Sequence, residues 1–418
     1  MRNELKRKTF TRMQQSPSGE LEVDPSGPIF SSPIGDFDLS GVHILHSGFD
    51  TVRSLYRGKL NQDLFQTIED TGFDKVMRLG GPEWIIGAGG KSGYRYRLQN
   101  NEIGLILFLG ARHSKTTSPG AHLKIEAGPS FLLPRAVDEA QHYWDSLAST
   151  VLLENWDYSG CAIHLCADIQ GWDFPEDFVE RLVTRSRQII QHNGIAKIEL
   201  YGDVTCQLYG YNETATFGFP NGFQFTCYAK DVANRRQDKI DFWEKIWNQT
   251  HDEDGVVLYD PAKPVRRIEY RLHQSIVREI ASECGEKLLN YEALAERATD
   301  IWCYGLSTFR LDLSRTYVDP FWQLLYEDIQ MGCQPRREMI KRVYKGPGSS
   351  EQRNVGLAIG NLLSVFAREK RSPRDAIQAL KKAGVWKKFV MYQRLQGRDP
   401  QAEIVQGLSR RRLGGSAS

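Results

Sequence analysis

The alternation of apolar and polar residues predicts β-strands over much of this chain. Eight segments show the two-residue period of a strand, at residues 42–46, 94–98, 103–109, 122–127, 161–169, 197–201, 223–231 and 267–272. Apolar residues at helical spacing predict helices at 60–71, 136–153, 176–192 and 232–247, and mostly helices after residue 272. Strand–helix–strand units followed by hairpins predict an α+β fold with a mixed or antiparallel sheet, helices on one face and the other face free for a ligand. The unit recurs, so two similar halves are expected.

Composition divides the chain into four regions. Residues 1–35 are rich in Ser, Pro and Gly with little apolar surface, so a disordered leader is expected there. Residues 36–334 contain the predicted strands and are expected to form one catalytic domain. Residues 335–405 are predicted to form a basic helical region, and residues 406–418 a disordered basic tail.

The formal net charge of +2 is distributed unevenly. Residues 335–418 contain 19 of the 54 Lys and Arg residues but only 6 of the 52 Asp and Glu residues. The last fifth of the chain therefore carries about +13 and the remainder about −11. A basic extension on an acidic body is typical of a protein that binds nucleic acid through its phosphates. A solvated basic tail without a ligand is the alternative.

Composition also limits the class of protein. No stretch approaches the roughly eighteen apolar residues that span a bilayer, and the basic start of the chain has no apolar signal segment, so a cytoplasmic protein without membrane contact is expected. Seven cysteines without CxxC spacing fit reduced thiols. There is no GxxxxGKS or GxxxxGKT motif, so the chain has no phosphate-binding loop of the type found in ATP-driven motors.

Ionisable side chains recur on one face of four predicted strands. They are Tyr228 and Lys230 in the strand at 223–231, Arg267, Glu269 and Arg271 at 267–272, Lys124 and Glu126 at 122–127, and His164 and Asp168 at 161–169. Ionisable groups are costly to bury unpaired, so a shared site on one sheet surface explains their recurrence. A solvated face of an antiparallel sheet is the alternative. A tyrosine beside carboxylates and cations suits attack on a phosphodiester by a phenolic oxygen.

Five segments resemble, in order and spacing, the landmarks of the rolling-circle replication initiation factors, which are plasmid, phage and mobile-element initiators without the two-histidine signature of other initiators and relaxases. The segments are residues 93–96, 122–133, 164–174, 227–230 and 265–271. In that family the key strand reads Arg-hydrophobic-Tyr-Asp-Lys, and here Tyr228-Ala229-Lys230 occupies that place. His164 stands where related strands often have an aspartate. The resemblance covers roughly residues 40–330.

The resemblance implies a Rep nuclease-like sheet that nicks and rejoins DNA at an origin. Tyr228 would be the nucleophile, and Lys230 would stabilise its phenolate or the phosphate, because an ordinary tyrosine with a pKa near 10 is a poor nucleophile at neutral pH. The predicted ligands of Mg²⁺ or Mn²⁺ are Asp168, Glu269 and Glu126. The predicted phosphate contacts are Arg267 and Arg271.

Three alternatives remain open from the sequence. The chain could be a conjugative relaxase of the same chemical class, or a DNA-binding regulator that lacks catalysis because its strand reads Tyr-Ala-Lys. Tyr209 and Tyr211 share a face of another β segment and are rival nucleophiles if Tyr228 is structural.

Basic and aromatic residues are interleaved in the predicted C-terminal helices. The predicted DNA-binding residues there are Lys381, Lys382, Lys387 and Lys388. Two short helices with a tight joint fit a helix-turn-helix, and a helical oligomerisation module fits equally well. Expected partners are therefore single- and double-stranded origin DNA, a helicase and a second copy of the chain.

Overall fold

The computed structural model describes residues 5–153, 155–184, 190–192, 195–198, 206–209, 214–219, 221–333, 335, 340, 351–395 and 399–412. The strands are β1 (Thr11–Gln15), β2 (Leu21–Val23), β3 (Ile29–Ser32), β4 (Gly35–Asp38), β5 (His43–Gly58), β6 (Val76–Arg78), β7 (Glu83–Ala88), β8 (Tyr94–Asn100), β9 (Leu105–Ala111), β10 (Gly120–Ala127), β11 (Asp157–Gln170), β12 (Leu182–Thr184), β13 (Ile190–His192), β14 (Ile195–Ile198), β15 (Cys206–Tyr209), β16 (Thr214–Gly218), β17 (Phe223–Ala229), β18 (Val265–Leu272) and β19 (Phe309–Leu311). The α-helices are α1 (Gln62–Thr71), α2 (Pro129–Leu132), α3 (Val137–Val151), α4 (Phe178–Arg181), α5 (Lys230–Arg236), α6 (Ile240–Trp247), α7 (Gln274–Cys284), α8 (Tyr291–Ala295), α9 (Ala298–Thr308), α10 (Pro320–Asp328), α11 (Glu351–Arg368), α12 (Pro373–Lys382), α13 (Trp386–Leu395) and α14 (Pro400–Arg412).

An eleven-stranded sheet forms the centre of the molecule, in the order β15-β16-β17-β18-β11-β5-β10-β9-β8-β7-β6. All of its neighbouring strands pair antiparallel. The large antiparallel sheet with several helices confirms the predicted α+β class. Of the two sheet types predicted, mixed and antiparallel, the structure contains the antiparallel one. The long strands β5 and β11 lie side by side in the middle of the sheet.

The chain follows the same path twice through this sheet. After β5 it crosses to the far edge at β6 and returns strand by strand through β7, β8 and β9 to β10, which pairs with β5. After β11 it crosses to the opposite edge at β15 and returns through β16 and β17 to β18, which pairs with β11. Each side of the sheet is thus built by a crossover to an edge and a stepwise return, with five of its strands following β5 and four following β11.

One face of the sheet is apolar and covered by helices. Tyr270 of β18 packs edge-on against Trp302 of α9, with 5.1 Å between ring centroids. On β5, the Tyr56 hydroxyl donates a 2.8 Å hydrogen bond to Asp145 of α3. Burial of these aromatic side chains contributes to the hydrophobic stabilisation of the domain.

The other face carries the polar side chains, and α6 covers one end of it. Trp243 and Trp247 of α6 are buried there in a cluster with Leu45 and Val265. The prediction of a face wholly free for a ligand is thus correct only beyond this helix. The helix predicted at 232–247 is interrupted, since Asp238 adopts a left-handed conformation with φ of 55° between α5 and α6.

The disordered leader predicted for residues 1–35 is wrong for the described residues. Strands β1–β4 form a four-stranded antiparallel sheet in the order β2-β1-β3-β4. Phe10 is buried 5.2 Å from the ring of Tyr317, and Gln323 of α10 bonds with both the amide and the carbonyl of Phe10 at 2.7 and 3.0 Å. Arg12 pairs with Asp328 at the end of α10. The segment has too few apolar residues for its own core, but it docks onto the core of the domain.

The helix predicted at 176–192 is also wrong. In the described part of this segment α4 is the only helix, and β12 then pairs antiparallel with β19. The helical spacing of apolar residues is a local signal, and pairing with a strand more than a hundred residues away overrides it. Residues 185–189 lie outside the described part of the chain.

Helices α11–α14 have a separate hydrophobic core. Its buried members are Ile359, Leu363, Phe366, Ala367, Ala376, Leu380, Phe389, Ile404 and Leu408. Ile340 still belongs to the core of the large domain, so the predicted boundary at 334/335 moves beyond residue 340. The tail predicted from residue 406 is wrong as far as Arg412, because α14 continues to that residue and buries Leu408. Among the described helices, none combines the length and apolar character that crossing a membrane requires.

Candidate active site on the polar face of the sheet

A cleft of about 1030 Å³ lies between the polar face of the sheet and the helices α5 and α6. Its lining includes Asp50, His164, Tyr228, Lys230, Glu269 and Arg271. The strand register brings these groups together: Tyr228 lies opposite Arg267, which lies opposite Asp168, and Glu269 lies one pleat further along. The predicted convergence of polar residues on one surface is therefore confirmed for the strands that form the floor.

Lys230 reaches the cleft differently from the prediction. Strand β17 ends at Ala229, and Lys230 is the first residue of α5. Its ammonium nitrogen lies 3.8 Å from a carboxylate oxygen of Asp50 and 4.4 Å from the ring centroid of Trp243. Burial, together with the nearby charge of Arg267, lowers the pKa of Lys230.

Tyr228 is hydrogen-bonded to a carboxylate. Its hydroxyl donates to Oε2 of Glu269 at 3.2 Å. Burial, reinforced by the charge of Glu269, raises the pKa of Tyr228 well above its usual range. The tyrosine is therefore protonated at neutral pH in this arrangement, with its proton directed at Glu269.

Glu269 is the central acceptor of the site. His164 Nδ1 lies 3.0 Å from its Oε1, and Arg271 donates from Nε to Oε1 at 2.7 Å and from Nη2 to Oε2 at 3.1 Å. Burial opposes ionisation, but the bond from His164 and the charge of Arg271 outweigh it and hold the pKa of Glu269 well below its usual range. Glu269 is therefore a carboxylate with every oxygen engaged.

Arg53 determines which nitrogen of His164 carries the proton. Its Nη1 lies 3.2 Å from His164 Nε2, and a guanidinium can only donate. Nε2 must then accept, so the proton of the neutral ring is on Nδ1 and is donated to Glu269. Glu126, another of the three predicted metal ligands, is occupied elsewhere, because Arg53 donates to its two oxygens at 2.9 and 3.3 Å.

Asp168 and Arg267 form a fully buried pair beneath the cleft. Arg267 donates to both oxygens of Asp168 at 2.5 and 2.8 Å and also pairs with Asp50, while Trp247 Nε1 donates to Asp168 at 2.9 Å. Neither residue of the pair has exposed surface. Asp168 was predicted to bind a metal and Arg267 to contact phosphate, but neither side chain offers an accessible atom for that role in this structure. The pair instead fixes Asp50 at the edge of the cleft.

Among the residues that the structure describes, Asp50, His164 and Glu269 come close enough to share a metal ion. Each offers one ligand atom, and these atoms lie within 4.8 Å of one another. Sequence reasoning missed Asp50. The ladder of β5 and β11 pairs Thr51 with His164 and Phe49 with Leu165, so Asp50 is the extra residue of a β-bulge. A bulge re-aims a side chain, and simple alternation contains no signal for it.

The first half of the sheet contains a matching position without the hydroxyl. Phe108 of β9 lies opposite Lys124, and Ile106 lies opposite Glu126, as Tyr228 lies opposite Arg267 and Thr226 opposite Glu269. The Lys124 ammonium lies 3.9 Å from the centroid of the Phe108 ring. At this matched position, the phenolic hydroxyl is therefore present on β17 and absent from β9.

The remaining predicted residues lie apart from this arrangement or outside the described residues. The predicted DNA-binding residues Lys381, Lys382, Lys387 and Lys388 are exposed on the separate helical unit. The side chain of Tyr209 and all of Tyr211 lie outside the described part of the chain, so their standing as rival nucleophiles stays a prediction.

Fold and site together define the class: an antiparallel α+β protein with a tyrosine, glutamate, histidine and arginine cluster in a cleft of its central sheet. The chain is 37% identical over 397 residues to "Uncharacterized protein ORF430" of Pseudomonas phage Pf1, and the match covers 90% of each chain. The chain belongs to the family of that phage protein. No family model matches the chain, and no solved structure matches it.

Proposed function

We propose that the protein nicks and rejoins one DNA strand at a replication origin, with Tyr228 as the nucleophile. The observation that carries the proposal is the hydrogen bond from Tyr228 to Glu269 on the floor of a cleft that Arg53, Arg271 and Lys230 also line. A hydroxyl aimed at an acceptor among cations is the inventory that phosphodiester transesterification requires. Similarity to a phage protein is compatible with a role in replication, and the ordered segments that resemble the landmarks of rolling-circle initiation factors add to the proposal.

The reaction exchanges one phosphoester bond for another. The Tyr228 oxygen loses its proton and attacks phosphorus, the bond from phosphorus to the 3′ oxygen breaks, and that oxygen takes up a proton. The product is a 5′-phosphotyrosyl linkage and a free 3′ hydroxyl, and the reverse reaction rejoins the strand. Unwinding between the two steps falls to a separate helicase.

Substrate binding itself would activate the tyrosine. A phosphodiester in the cleft competes with Glu269 for Arg271, whose side chain is 36% exposed and forms bidentate bonds as readily with phosphate as with carboxylate. Once Arg271 contacts the phosphate, Glu269 loses two hydrogen bonds and its pKa rises. It then becomes a better acceptor for the Tyr228 proton.

A divalent metal fits the same cleft. Two carboxylates and an imidazole, from Asp50, Glu269 and His164, are a donor set suited to Mn²⁺ and, less well, to Mg²⁺. Such an ion would supply positive charge at the scissile phosphate. The three side chains would hold it in place of the Asp168, Glu269 and Glu126 set predicted from the sequence.

A non-catalytic DNA-binding regulator is the second candidate function. It is favoured by the observation that Glu269 already accepts bonds from His164, Arg271 and Tyr228, which is also how a purely structural ion-pair network looks. This candidate predicts DNA binding without any covalent product.

The test uses supercoiled DNA of the genetic element that encodes the chain, with Mn²⁺ or Mg²⁺, and a denaturing gel that detects DNA covalently attached to protein. We expect nicked circles with attached protein from the wild type, and loss of both to background with Tyr228→Phe. Tyr96→Phe, which removes a phenol from β8 away from the cleft, is the matched control and should retain activity.

Full nicking by Tyr228→Phe would eliminate Tyr228 as the nucleophile. Absence of any adduct with either metal, while the DNA is still bound, would favour the regulator. The position of the nick relative to replication or transfer functions separates an initiator from a conjugative relaxase.

A further inference from the structure

The C-terminal helical unit contains a basic segment without a single acidic residue. Residues 376–398 include six Lys and Arg residues and no Asp or Glu. This segment comprises most of α12, all of α13 and the turn between them. Its charge contrasts with that of residues 1–334, which carry about −11.

The turn between α12 and α13 has a defined geometry. The amide of Val385 donates to the carbonyl of Leu380 at 3.2 Å, and the amide of Gly384 donates to the carbonyl of Lys381 at 3.0 Å. These two bonds form a Schellman motif, which requires the left-handed conformation that Gly384 adopts with φ of 72°. The helices are thus joined by the three residues 383–385, the kind of connection found in helix-turn-helix units.

Burial separates a packed face of each helix from a basic one. On α12, Ala376 and Leu380 are buried in the core of the unit, and on α13 Phe389 is buried. The lysines that flank the turn, Lys381 and Lys382 on one side and Lys387 and Lys388 on the other, are all exposed. The turn therefore presents four cations at the surface, at the end of one rigid helix and the start of the next.

We propose that α12 and α13 bind duplex DNA as a helix-turn-helix, with the exposed face of α13 in the major groove and the four lysines against the phosphates. Charge complementarity commits the surface to a polyanion, and an α-helix with its side chains is about 10–12 Å in diameter, which fits the roughly 12 Å width of the major groove. The inference deepens the proposed function and rests on it for the biological setting. It assigns recognition of duplex DNA to a unit separate from the nicking cleft.

The test is a salt series of duplex binding by the full chain, measured by fluorescence anisotropy with duplex fragments of the DNA of the encoding element. Lys387→Gln/Lys388→Gln is compared with Lys59→Gln/Lys75→Gln, which removes equal charge from exposed positions of the large domain. Two lost phosphate contacts should reduce the slope of log K against log salt by about 1.8, which corresponds to as much as ~60-fold in affinity at 0.1 M salt. The control pair should leave the slope unchanged.

A second comparison tests the groove-facing side of α13. Met391 is 53% exposed on α13 and Val405 is 49% exposed on α14 of the same unit. Met391→Glu should weaken duplex binding at least as much as the lysine pair, whereas Val405→Glu should not. Light scattering on all four variants reports the oligomeric state.

An unchanged salt slope in the Lys387→Gln/Lys388→Gln variant would overturn the proposal. A changed oligomeric state with unchanged duplex affinity would also overturn it, because α12 and α13 would then contact a second copy of the chain. Failure here is distinguishable from failure of the nicking proposal. Tyr228→Phe should retain duplex affinity, and the Lys387→Gln/Lys388→Gln variant should still cleave a single-stranded oligonucleotide.

Discussion

The buried pair of Arg267 and Asp168 leads to a quantitative prediction for Arg267→Met. The substitution leaves the Asp168 carboxylate buried and without its cation. The 2.9 Å hydrogen bond from Trp247 to this carboxylate remains. Removing one partner of a buried ion pair costs about 3–5 kcal/mol, because the other charge stays buried and uncompensated. The equilibrium constant for folding should therefore fall by a factor of roughly 10² to 10⁴.

The assay is urea denaturation of four proteins: the wild type, Arg267→Met, Asp168→Asn and the double variant. Asparagine keeps the shape of Asp168 and can still accept the bond from Trp247, but it carries no charge. The double variant should therefore regain at least about 2 kcal/mol relative to the sum of the two single losses. Arg78→Met is the matched control, because Arg78 and Glu83 form a 3.1 Å ion pair in which both side chains are exposed to solvent. Loss of this pair should change the free energy of unfolding by less than about 0.5 kcal/mol.

Two results would refute this reasoning. Strictly additive losses in the double variant would mean that the two charges do not stabilise each other. An unchanged urea midpoint for Arg267→Met, together with weakened DNA binding, would return Arg267 to the phosphate-contact role that its sequence position predicted.

Four further outcomes follow from the structure. Glu269→Gln should lower nicking by about 10²- to 10⁴-fold in the plasmid assay, because glutamine cannot accept the tyrosine proton; activity equal to wild type would assign the base elsewhere. The pKa of Glu269 is lower in the folded state than its value of about 4.5 in the unfolded chain. Its contribution to stability is therefore complete above pH 4.5 and is lost as the pH falls through the folded-state pKa. The urea midpoint of the wild type should fall more steeply below pH 4.5 than that of Glu269→Gln. Truncation after Ile340 should give a soluble protein that melts as one unit and cleaves single-stranded DNA, whereas insolubility would show that α11–α14 complete the main core. Deletion of residues 1–41 exposes the surface that Phe10 covers and should lower the melting temperature by several degrees or cause aggregation, while an unchanged melting curve would restore the disordered leader.

The sequence by itself determined the elements whose signal is local. Alternation with a period of two predicted the strands around Tyr228, His164 and Glu269, and it also predicted that Tyr228, Glu269 and Arg271 share one surface, because side-chain alternation in a strand depends only on backbone geometry. The separate C-terminal unit was likewise predicted from the local change in charge.

Only the tertiary structure decided what each polar residue of that surface does. A bulge in β5 turned Asp50 toward the cleft, and the placement of α6 over one end of the face buried Asp168 with Arg267. The docking of Phe10 and Arg12 onto α10 gave order to a segment whose composition predicted none. Each of these outcomes depends on contacts between residues 79 or more positions apart along the chain, whereas periodicity and composition report only on neighbours in sequence.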